Sequence, residues 1–220
     1  MGRSLKEKIL FNYWKYIAEP FIRKGHLKNA RERLITNNPS ILCSNCIGGE
    51  IYNNLNIKFL SPTINLWFSE RDFLKVALDP EYYMAQNLVF IDEEDKNYPV
   101  ALIGDVKINF LHFKTKDEAE KKWNERKKRI NYENIYIIMC DLDLDDDDFL
   151  RFQKIEKCKR KIMFTTNPVR ARYDNVMQIK PYKNYSYVRK YAVNKINGFR
   201  DFELFWDYVG WLNGEEQGEN

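Results

Sequence analysis

The chain has 220 residues, a length that suits one domain whose hydrophobic core forms without disulfides or structural metals. Its 36 basic and 32 acidic residues leave a net charge of only +4, which excludes a strong binder of the nucleic-acid backbone. No stretch approaches the roughly 20 apolar residues of a membrane-spanning helix and no signal peptide is recognisable, so we expect a cytoplasmic protein with reduced cysteines.

The first 38 residues are predicted to form a helical arm. Residues 4–35 have helical character, and Pro20 and Gly25 are expected to break them into two helices. The stretch 5–21 is basic and rich in aromatic side chains, among them Phe11 and Trp14. A peripheral membrane contact through this arm is therefore one expectation.

Residues 39–213 are predicted to form a single α/β domain, followed by a disordered polar tail at 214–220. Strands are indicated by apolar runs at 41–43, 88–91, 99–110, 135–140, 161–164 and 176–179. Helical segments separate most of them, including one that begins after Ser69 and one that begins after Thr115. This alternation predicts a three-layer α/β/α sandwich with a mixed, mostly parallel sheet, in which residues 89–110 supply an antiparallel pair.

A turn with two glycines follows the first predicted strand and leads into a helix. Free N–H groups at a helix start bind anions, and glycine lets a ligand approach the backbone. We therefore take Asn45, Gly48 and Gly49 as candidate substrate-binding residues, with a tight turn that binds nothing as the alternative. The spacing fits neither the dinucleotide-binding fingerprint nor a Walker loop.

Cys46 in this turn and His112 after a later strand are the candidate catalytic pair. A histidine within hydrogen-bond reach would activate the thiol as a nucleophile. A structural role for His112 is the alternative. The Cys43-x-x-Cys46 spacing also allows a zinc site or a redox dithiol, but no second Cys or His pair is close by, and no neighbour is suited to stabilise a thiolate.

The helix after Thr115 places Trp123 and Arg126 on one face. A guanidinium on a face that meets the sheet requires a carboxylate or an anionic ligand, so Arg126 is a candidate phosphate or carboxylate binder. The alternative is a core tryptophan beside a surface ion pair. Asp141 and Asp143, after the most apolar strand, would suit a divalent cation or a solvated acidic loop. We assign no metal ligands, and the sequence identifies no particular cofactor.

Several of these motifs, in the order in which they occur, resemble a bacterial domain-of-unknown-function family, DUF1919. The residues that carry the resemblance are Ser44-Asn45-Cys46-Ile47-Gly48-Gly49-Glu50-Ile51-Tyr52, Ser61-Pro62-Thr63-Ile64-Asn65, His112-Phe113, Glu118-Ala119, Trp123, Arg126 and Arg129-Ile130-Asn131. They extend over roughly residues 39–166. Members of this family are often labelled exopolysaccharide biosynthesis proteins. The resemblance implies an α/β sandwich and a role in surface-polysaccharide assembly, and it implies no particular reaction.

The leading hypothesis is a transferase that acts on an activated or lipid-linked sugar, with a sugar nucleotide or polysaccharide intermediate as partner. A Cys46/His112 acyl transferase or hydrolase and a non-catalytic binding protein are the alternatives. Further substrate-binding candidates are Pro62, Thr63, Trp123, Arg126, Arg129 and Asn131. We expect one concavity at the carboxyl ends of the strands to be lined by Asn45, Cys46, Gly48, Pro62, Thr63, His112, Trp123 and Arg126.

Overall fold

The computed structural model describes residues 4–179, 194 and 196–215. These residues divide into two compact units. The sheet unit contains residues 37–50 and 58–179, and the helical unit contains residues 4–36, 51–57, 194 and 196–215. The division differs from the predicted one, since the arm is joined by residues 51–57 and by the C-terminal segment. Residues 216–220 of the predicted tail lie outside the described residues.

The elements alternate along the described chain much as the sequence predicts. The helices are α1 (Leu5–Tyr13), α2 (Lys24–Arg33), α3 (Ile47–Leu55), α4 (Glu70–Leu78), α5 (Pro80–Ala85), α6 (Lys116–Lys127), α7 (Asp146–Gln153) and α8 (Tyr208–Asn213). The strands are β1 (Ser40–Cys43), β2 (Val89–Ile91), β3 (Val100–Ile103), β4 (Val106–Asn109), β5 (Ile135–Cys140), β6 (Arg160–Thr165) and β7 (Val176–Gln178). Short 3₁₀ turns occupy Tyr132–Asn134, Arg170–Arg172 and Asp201–Leu204. The chain thus has the predicted α/β fold with an N-terminal helix.

The larger sheet is parallel and has the strand order β1-β5-β6-β7. Ser40 is paired with Ile135 at one end of the β1–β5 ladder, and Cys43 with Ile138 at the other. Every residue of β1 and β5 is buried. Strands that are covered on both faces are expected to be apolar throughout, which is why these two segments show no alternation of polar and apolar residues.

The antiparallel strands form a separate sheet in the order β2-β3-β4. The sequence indicated this pairing correctly but placed it in one mixed sheet. Gly104 and Asp105 form the two-residue loop between β3 and β4, and Gly104 has a φ of 59°. A positive φ at the first loop position is what a tight hairpin of this kind requires, and glycine adopts it without steric cost.

Helix starts in the sheet unit are fixed by side-chain caps. The Ser69 hydroxyl accepts a hydrogen bond from Asp72 N, and the Thr115 hydroxyl accepts one from Glu118 N. Asp145 caps α7 by accepting from Asp148 N. These bonds satisfy backbone donors that have no partner within a helix, so the polar residues seen before each apolar run do determine where α4 and α6 begin.

The N-terminal part of the helical unit is a continuous helical run from α1 to α2. The intervening residues, Trp14–Arg23, form π-helical turns with Pro20 inside them, and Gly25 lies within α2. The predicted break into two helices is therefore wrong. Proline lacks the N–H that an α-helix requires, and here the wider π-helical turns accommodate the lost bond without ending the helix.

A buried polar cluster holds the helical unit together. Arg23 donates to Glu203 at 2.5 Å and to Asn54 at 2.6 Å, and Asn54 donates to Glu203 at 2.6 Å. The Glu203 side chain is fully buried, and a buried charge without a partner would cost several kcal/mol. Arg23 at 2.5 Å and Arg200 at 3.7 Å supply the compensating positive charge. No helix among the described residues is sufficiently long and apolar to cross a bilayer.

Candidate functional site

Polar side chains gather where three parallel strands end. Ser44 follows β1, Asp141 follows β5, and Thr165 is the last residue of β6. Because the strands are parallel and adjacent, their carboxyl ends meet at one edge of the sheet. Ligands of open α/β sheets bind at this edge. The carboxyl edge of the larger sheet is therefore the candidate ligand-binding site of this fold.

Glu70, the first residue of α4, reaches this edge. Its Oε1 accepts a hydrogen bond from Ser44 Oγ at 3.0 Å, and its Oε2 accepts one from Cys140 N at 3.3 Å. Only 9% of the residue is exposed. The carboxyl group thus bridges the ends of β1 and β5 and is positioned by both of them.

The environment of Glu70 makes its carboxyl group unusually basic. Burial raises the pKa of Glu70 to about 8, and the negative charges of Asp141 and Asp143 act in the same direction. The bonds from Ser44 and Cys140 favour the carboxylate and oppose this shift only in part. A carboxyl group with a pKa near neutral exchanges protons readily at physiological pH, as a general acid or base must.

Asp141 is held by a separate set of donors at the same edge. Thr165 Oγ1 donates to its Oδ2 at 2.6 Å, and Arg170 Nη1 donates to its Oδ1 at 2.5 Å. Arg170 also pairs with Asp146 at 2.7 Å. Both oxygens of Asp141 are therefore engaged with protein donors, one of them cationic. Among the residues that the structure describes, no group of three or more His, Cys, Asp or Glu side chains is arranged to hold a metal.

Asn45 lies at this edge and organises the turn after β1. Its Oδ1 accepts from Ile47 N at 3.0 Å and from Cys43 Sγ at 3.4 Å. Its Nδ2 faces Cys140 Sγ at 3.3 Å. The amide is half-buried and joins the turn to β5, so its contacts position neighbouring groups. A direct role in substrate binding stays a prediction.

The predicted catalytic pair of Cys46 and His112 is not assembled. No hydrogen bond joins the two side chains within the described part of the chain, and His112 is exposed in the turn after β4. Burial raises the pKa of the Cys46 thiol, and the nearby charge of Glu50 raises it further. Burial also raises the pKa of Cys43 to about 12. Both thiols are free, and neither environment favours the thiolate that a nucleophile or a redox dithiol requires.

Gly48 and Gly49, which the sequence placed in the turn, lie in the first turn of α3 and allow close approach of the protein's own chain. A Cβ atom at Gly48 would lie 2.9 Å from both Cys43 Cβ and Ile64 Cδ1, and one at Gly49 would lie 2.5 Å from Asn65 Oδ1. The neighbouring Thr63 is fully buried and accepts from Cys43 N at 3.1 Å. Pro62 is buried as well. These candidates pack residues 61–65 against the turn after β1, where we had expected them to contact a ligand.

Trp123 belongs to the hydrophobic core. It is 1% exposed, and its ring meets that of Phe110 at a centroid distance of 6.3 Å. Thr63 and Trp123 therefore do not line an open concavity, and the predicted lining is wrong for both. The core interpretation, which was the alternative for Trp123, is the one that the structure supports.

Arg126 has neither of the partners that the sequence led us to expect. Its Nη1 donates to Ile64 O at 2.9 Å, and its guanidinium lies 5.0 Å from the centre of the Phe59 ring. No ion pair with a carboxylate is formed by Arg126 in the described residues. Burial lowers the pKa of Arg126, as does the positive charge of Arg129. A backbone carbonyl and an aromatic face thus take the place of a counter-ion.

Arg129 and Asn131 continue the chain beyond α6. Arg129 donates to Phe59 O at 3.4 Å and lies 3.8 Å from Glu125. Asn131 N donates to Ser40 Oγ at 2.8 Å. Ser40 is the first residue of β1, so Asn131 lies at the amino end of this strand, whereas Asn45 follows its carboxyl end. These candidate residues do not belong to one site.

Sequence reasoning missed Glu70, Thr165 and Arg170. The Ser69 cap places Glu70 in the first turn of a helix, where an acidic residue is explained by the helix dipole alone. The apolar run of β5 did indicate a buried strand, and polar groups beside the carboxyl end of such a strand are candidates for a ligand site. Nothing local indicated that α4 begins beside that end.

Two comparisons with known proteins bear on identity. The family model described as Domain of unknown function (DUF1919) matches residues 17–213. An "Uncharacterized protein" from Haemophilus influenzae is 31% identical over 188 residues, which cover 84% of this chain and 89% of that protein. Both matches extend well beyond residues 39–166, which contain the motifs of the resemblance. The chain belongs to the DUF1919 family.

Proposed function

We propose that this protein is a transferase of surface-polysaccharide assembly in which Glu70 is the general base. The observation that supports it is a buried carboxyl group with a pKa of about 8 at the ligand-binding edge of a parallel sheet. The polysaccharide context rests on the label that the family resemblance implies. A cytoplasmic location and a nucleotide-activated or lipid-linked sugar as donor belong to the same proposal.

The chemistry requires a group that accepts a proton from an acceptor hydroxyl. In the proposed reaction the ionised form of Glu70, whose share grows as the pH approaches 8, takes that proton as the hydroxyl oxygen bonds to the anomeric carbon of the donor, and the bond from this carbon to the phosphate oxygen breaks. The leaving phosphate carries away the electron pair. Ser44 Oγ and Cys140 N act as positioning groups, because they orient the two carboxylate oxygens.

A substitution that preserves shape but removes basicity tests the proposal. A strain that lacks the gene is complemented with the wild type, with Glu70→Gln, or with Glu94→Gln, an exposed carboxylate in the same unit. We expect surface polysaccharide to be restored by the wild type and by Glu94→Gln, and to fall by about 10²-fold or more with Glu70→Gln. Equal protein levels are verified by immunoblotting. Full restoration by Glu70→Gln would show that the proposed base is not needed.

Binding of the donor is measured separately on the purified chain. A ligand that binds the native state raises the melting temperature, so a panel of nucleotide sugars is screened by thermal shift with the wild type and with Glu70→Gln. We expect the same sugar to stabilise both, because the substitution removes a proton acceptor and leaves the edge in place. If no nucleotide sugar binds either protein, the nucleotide-activated donor is ruled out and the lipid-linked one remains to be assayed with extracted lipid.

A further inference from the structure

The helical run at the N-terminus exposes a row of large apolar side chains. The exposed fractions are 75% for Leu5, 61% for Ile9, 61% for Tyr16, 49% for Ile17 and 75% for Phe21. Single exposed apolar residues are ordinary on a protein surface, but a contiguous group marks a surface that another apolar phase covers. We name these five residues the outer face.

The backbone places the five side chains together. Leu5 and Ile9 are four residues apart in α1, one helical turn. Tyr16, Ile17 and Phe21 lie in the π-helical residues Trp14–Arg23, where hydrogen bonds join residues five apart, so positions separated by four or five are neighbours. Ala18 and Arg23 of the same segment are buried. The π-helical part of the run therefore has a buried side and an apolar exposed side, whereas no residue of α1 is buried.

Basic side chains accompany the outer face. Lys6, Lys8, Lys15 and Lys24 are exposed, and none forms an ion pair with a carboxylate within residues 4–179, 194 and 196–215. Only two acidic residues, Glu7 and Glu19, occur between Leu5 and Lys24. Apolar side chains beside lysines that have no carboxylate partner are the pattern of helices that lie in the interface of an anionic bilayer.

We propose that the outer face docks the protein on the surface of an anionic lipid bilayer. The five apolar side chains enter the boundary between headgroups and acyl chains, while the four lysines contact lipid phosphates. Charge complementarity selects this occupant over a second copy of the chain, because two such faces would bring together eight lysines and only four glutamates. The proposal is independent of the reaction at Glu70, since it uses residues of the helical unit alone.

Vesicle flotation of the full chain tests this assignment. The probes are vesicles of phosphatidylcholine alone and vesicles with about 30% phosphatidylglycerol. We expect the wild type to float with the anionic vesicles and to lose that binding in high salt. The triple variant Ile9→Ser, Tyr16→Ser, Phe21→Ser should bind at least about tenfold less. The matched control is Val169→Ser with Tyr173→Ser, two exposed apolar residues of the sheet unit, which should bind like the wild type.

Other outcomes overturn the proposal. Failure of the wild type to float with anionic vesicles would do so, as would equal binding by the triple variant. Sedimentation analysis without lipid tests whether a second copy of the chain covers the outer face. A wild-type dimer that becomes a monomer in the triple variant would assign the face to self-association. A lower melting temperature of the triple variant would show that the chain itself covers the face. Each result leaves the Glu70 complementation assay unaffected.

Discussion

Arg126 illustrates how a half-buried cation is accommodated without a carboxylate. Its guanidinium donates to the carbonyl of Ile64 and lies over Phe59, on the last turn of α6, where the helix dipole also favours a positive charge. The sequence identified the side chain as unusual but offered only two partners for it, an acidic residue or a ligand. Every residue has a backbone carbonyl, so the sequence does not show which carbonyl will accept from an arginine. The contact of Arg126 with Ile64 O could therefore not be predicted.

This arrangement predicts a moderate stability cost for Arg126→Ala. The variant loses one hydrogen bond and one cation–π contact, so we expect the free energy of unfolding to fall by about 1–3 kcal/mol. Breaking a buried ion pair would cost about 3–5 kcal/mol. Urea melts measure the difference, with Lys121→Ala, an exposed position on the same helix, as the control that should change little. A loss as large as that of an ion pair would mean that Arg126 has an acidic partner in solution.

Glu70 shows a second limit of prediction from the sequence at the scale of single residues. The cap at Ser69 fixes where Glu70 stands on its helix, and this much follows from the sequence. Its contact with Cys140 joins residues that are 70 positions apart. Only the packing of α4 beside the end of β5 creates the buried carboxyl, so local pattern could not distinguish it from the other acidic residues at helix starts.

At the scale of elements, prediction succeeded where local chemistry decides. The Thr115 cap, the Ser69 cap and the apolar run of β5 are all as expected, since hydrogen-bond caps and burial on both faces act within a few residues. Prediction failed at Pro20, where the chain has more than one way to accommodate a missing N–H. It failed also at Gly48, because the element that fills the space above the glycine comes from residues 61–65.

The two helical glycines Gly48 and Gly25 give a matched pair of predictions. An added Cβ at Gly48 would lie 2.9 Å from Cys43 Cβ and from Ile64 Cδ1, whereas one at Gly25 would have no atom within 4 Å. We expect Gly48→Ala to lower the free energy of unfolding by about 1–3 kcal/mol through overpacking. Gly25→Ala should raise it by about 0.5–1 kcal/mol, because alanine loses less backbone entropy in a helix. Thermal melts that showed the same sign for both would contradict the packing described here.

At the scale of the whole molecule, the fold class was predictable and the division into units was not. Alternating strands and helices indicate an α/β fold whatever their detailed packing. The grouping of residues 51–57 and 196–215 with the N-terminal helices depends on bonds such as that of Arg23 with Glu203, 180 positions apart. No pattern within either segment carries that information.

The buried carboxyl of Glu70 gives the whole protein a defined pH dependence. The folded state keeps the Glu70 proton up to a pH of about 8, because its pKa is raised to that value, while the unfolded chain releases it near the usual 4.5. The stabilisation is therefore fully present at low pH and is lost as the pH rises through this window. The Gln side chain of Glu70→Gln cannot ionise. Between pH 4.5 and about 8, the free energy of unfolding of this variant should therefore rise relative to that of the wild type by up to ~1.4 kcal/mol for each pH unit.

Urea melts across this range measure that gain directly. Glu94→Gln serves as the control, because an exposed carboxylate should leave the pH slope of the wild type unchanged. The slopes of the two proteins are compared over the same buffers and salt concentration. If Glu70→Gln loses stability with pH as steeply as the wild type, the Glu70 carboxyl is already ionised in the folded protein.

The composition of the helical unit from distant parts of the chain has a consequence during translation. Most of the sheet unit is synthesised well before the segment 196–215, so its earlier elements are free to pack first. The ion pair of Arg23 with Glu203 cannot form until Glu203 has left the ribosome. Before then, the Arg23 guanidinium lacks the carboxylate with which it is buried in the folded protein. A nascent chain that stalls before residue 200 would keep its N-terminal helices unpacked, and these helices would be the part of the chain that chaperones and proteases meet.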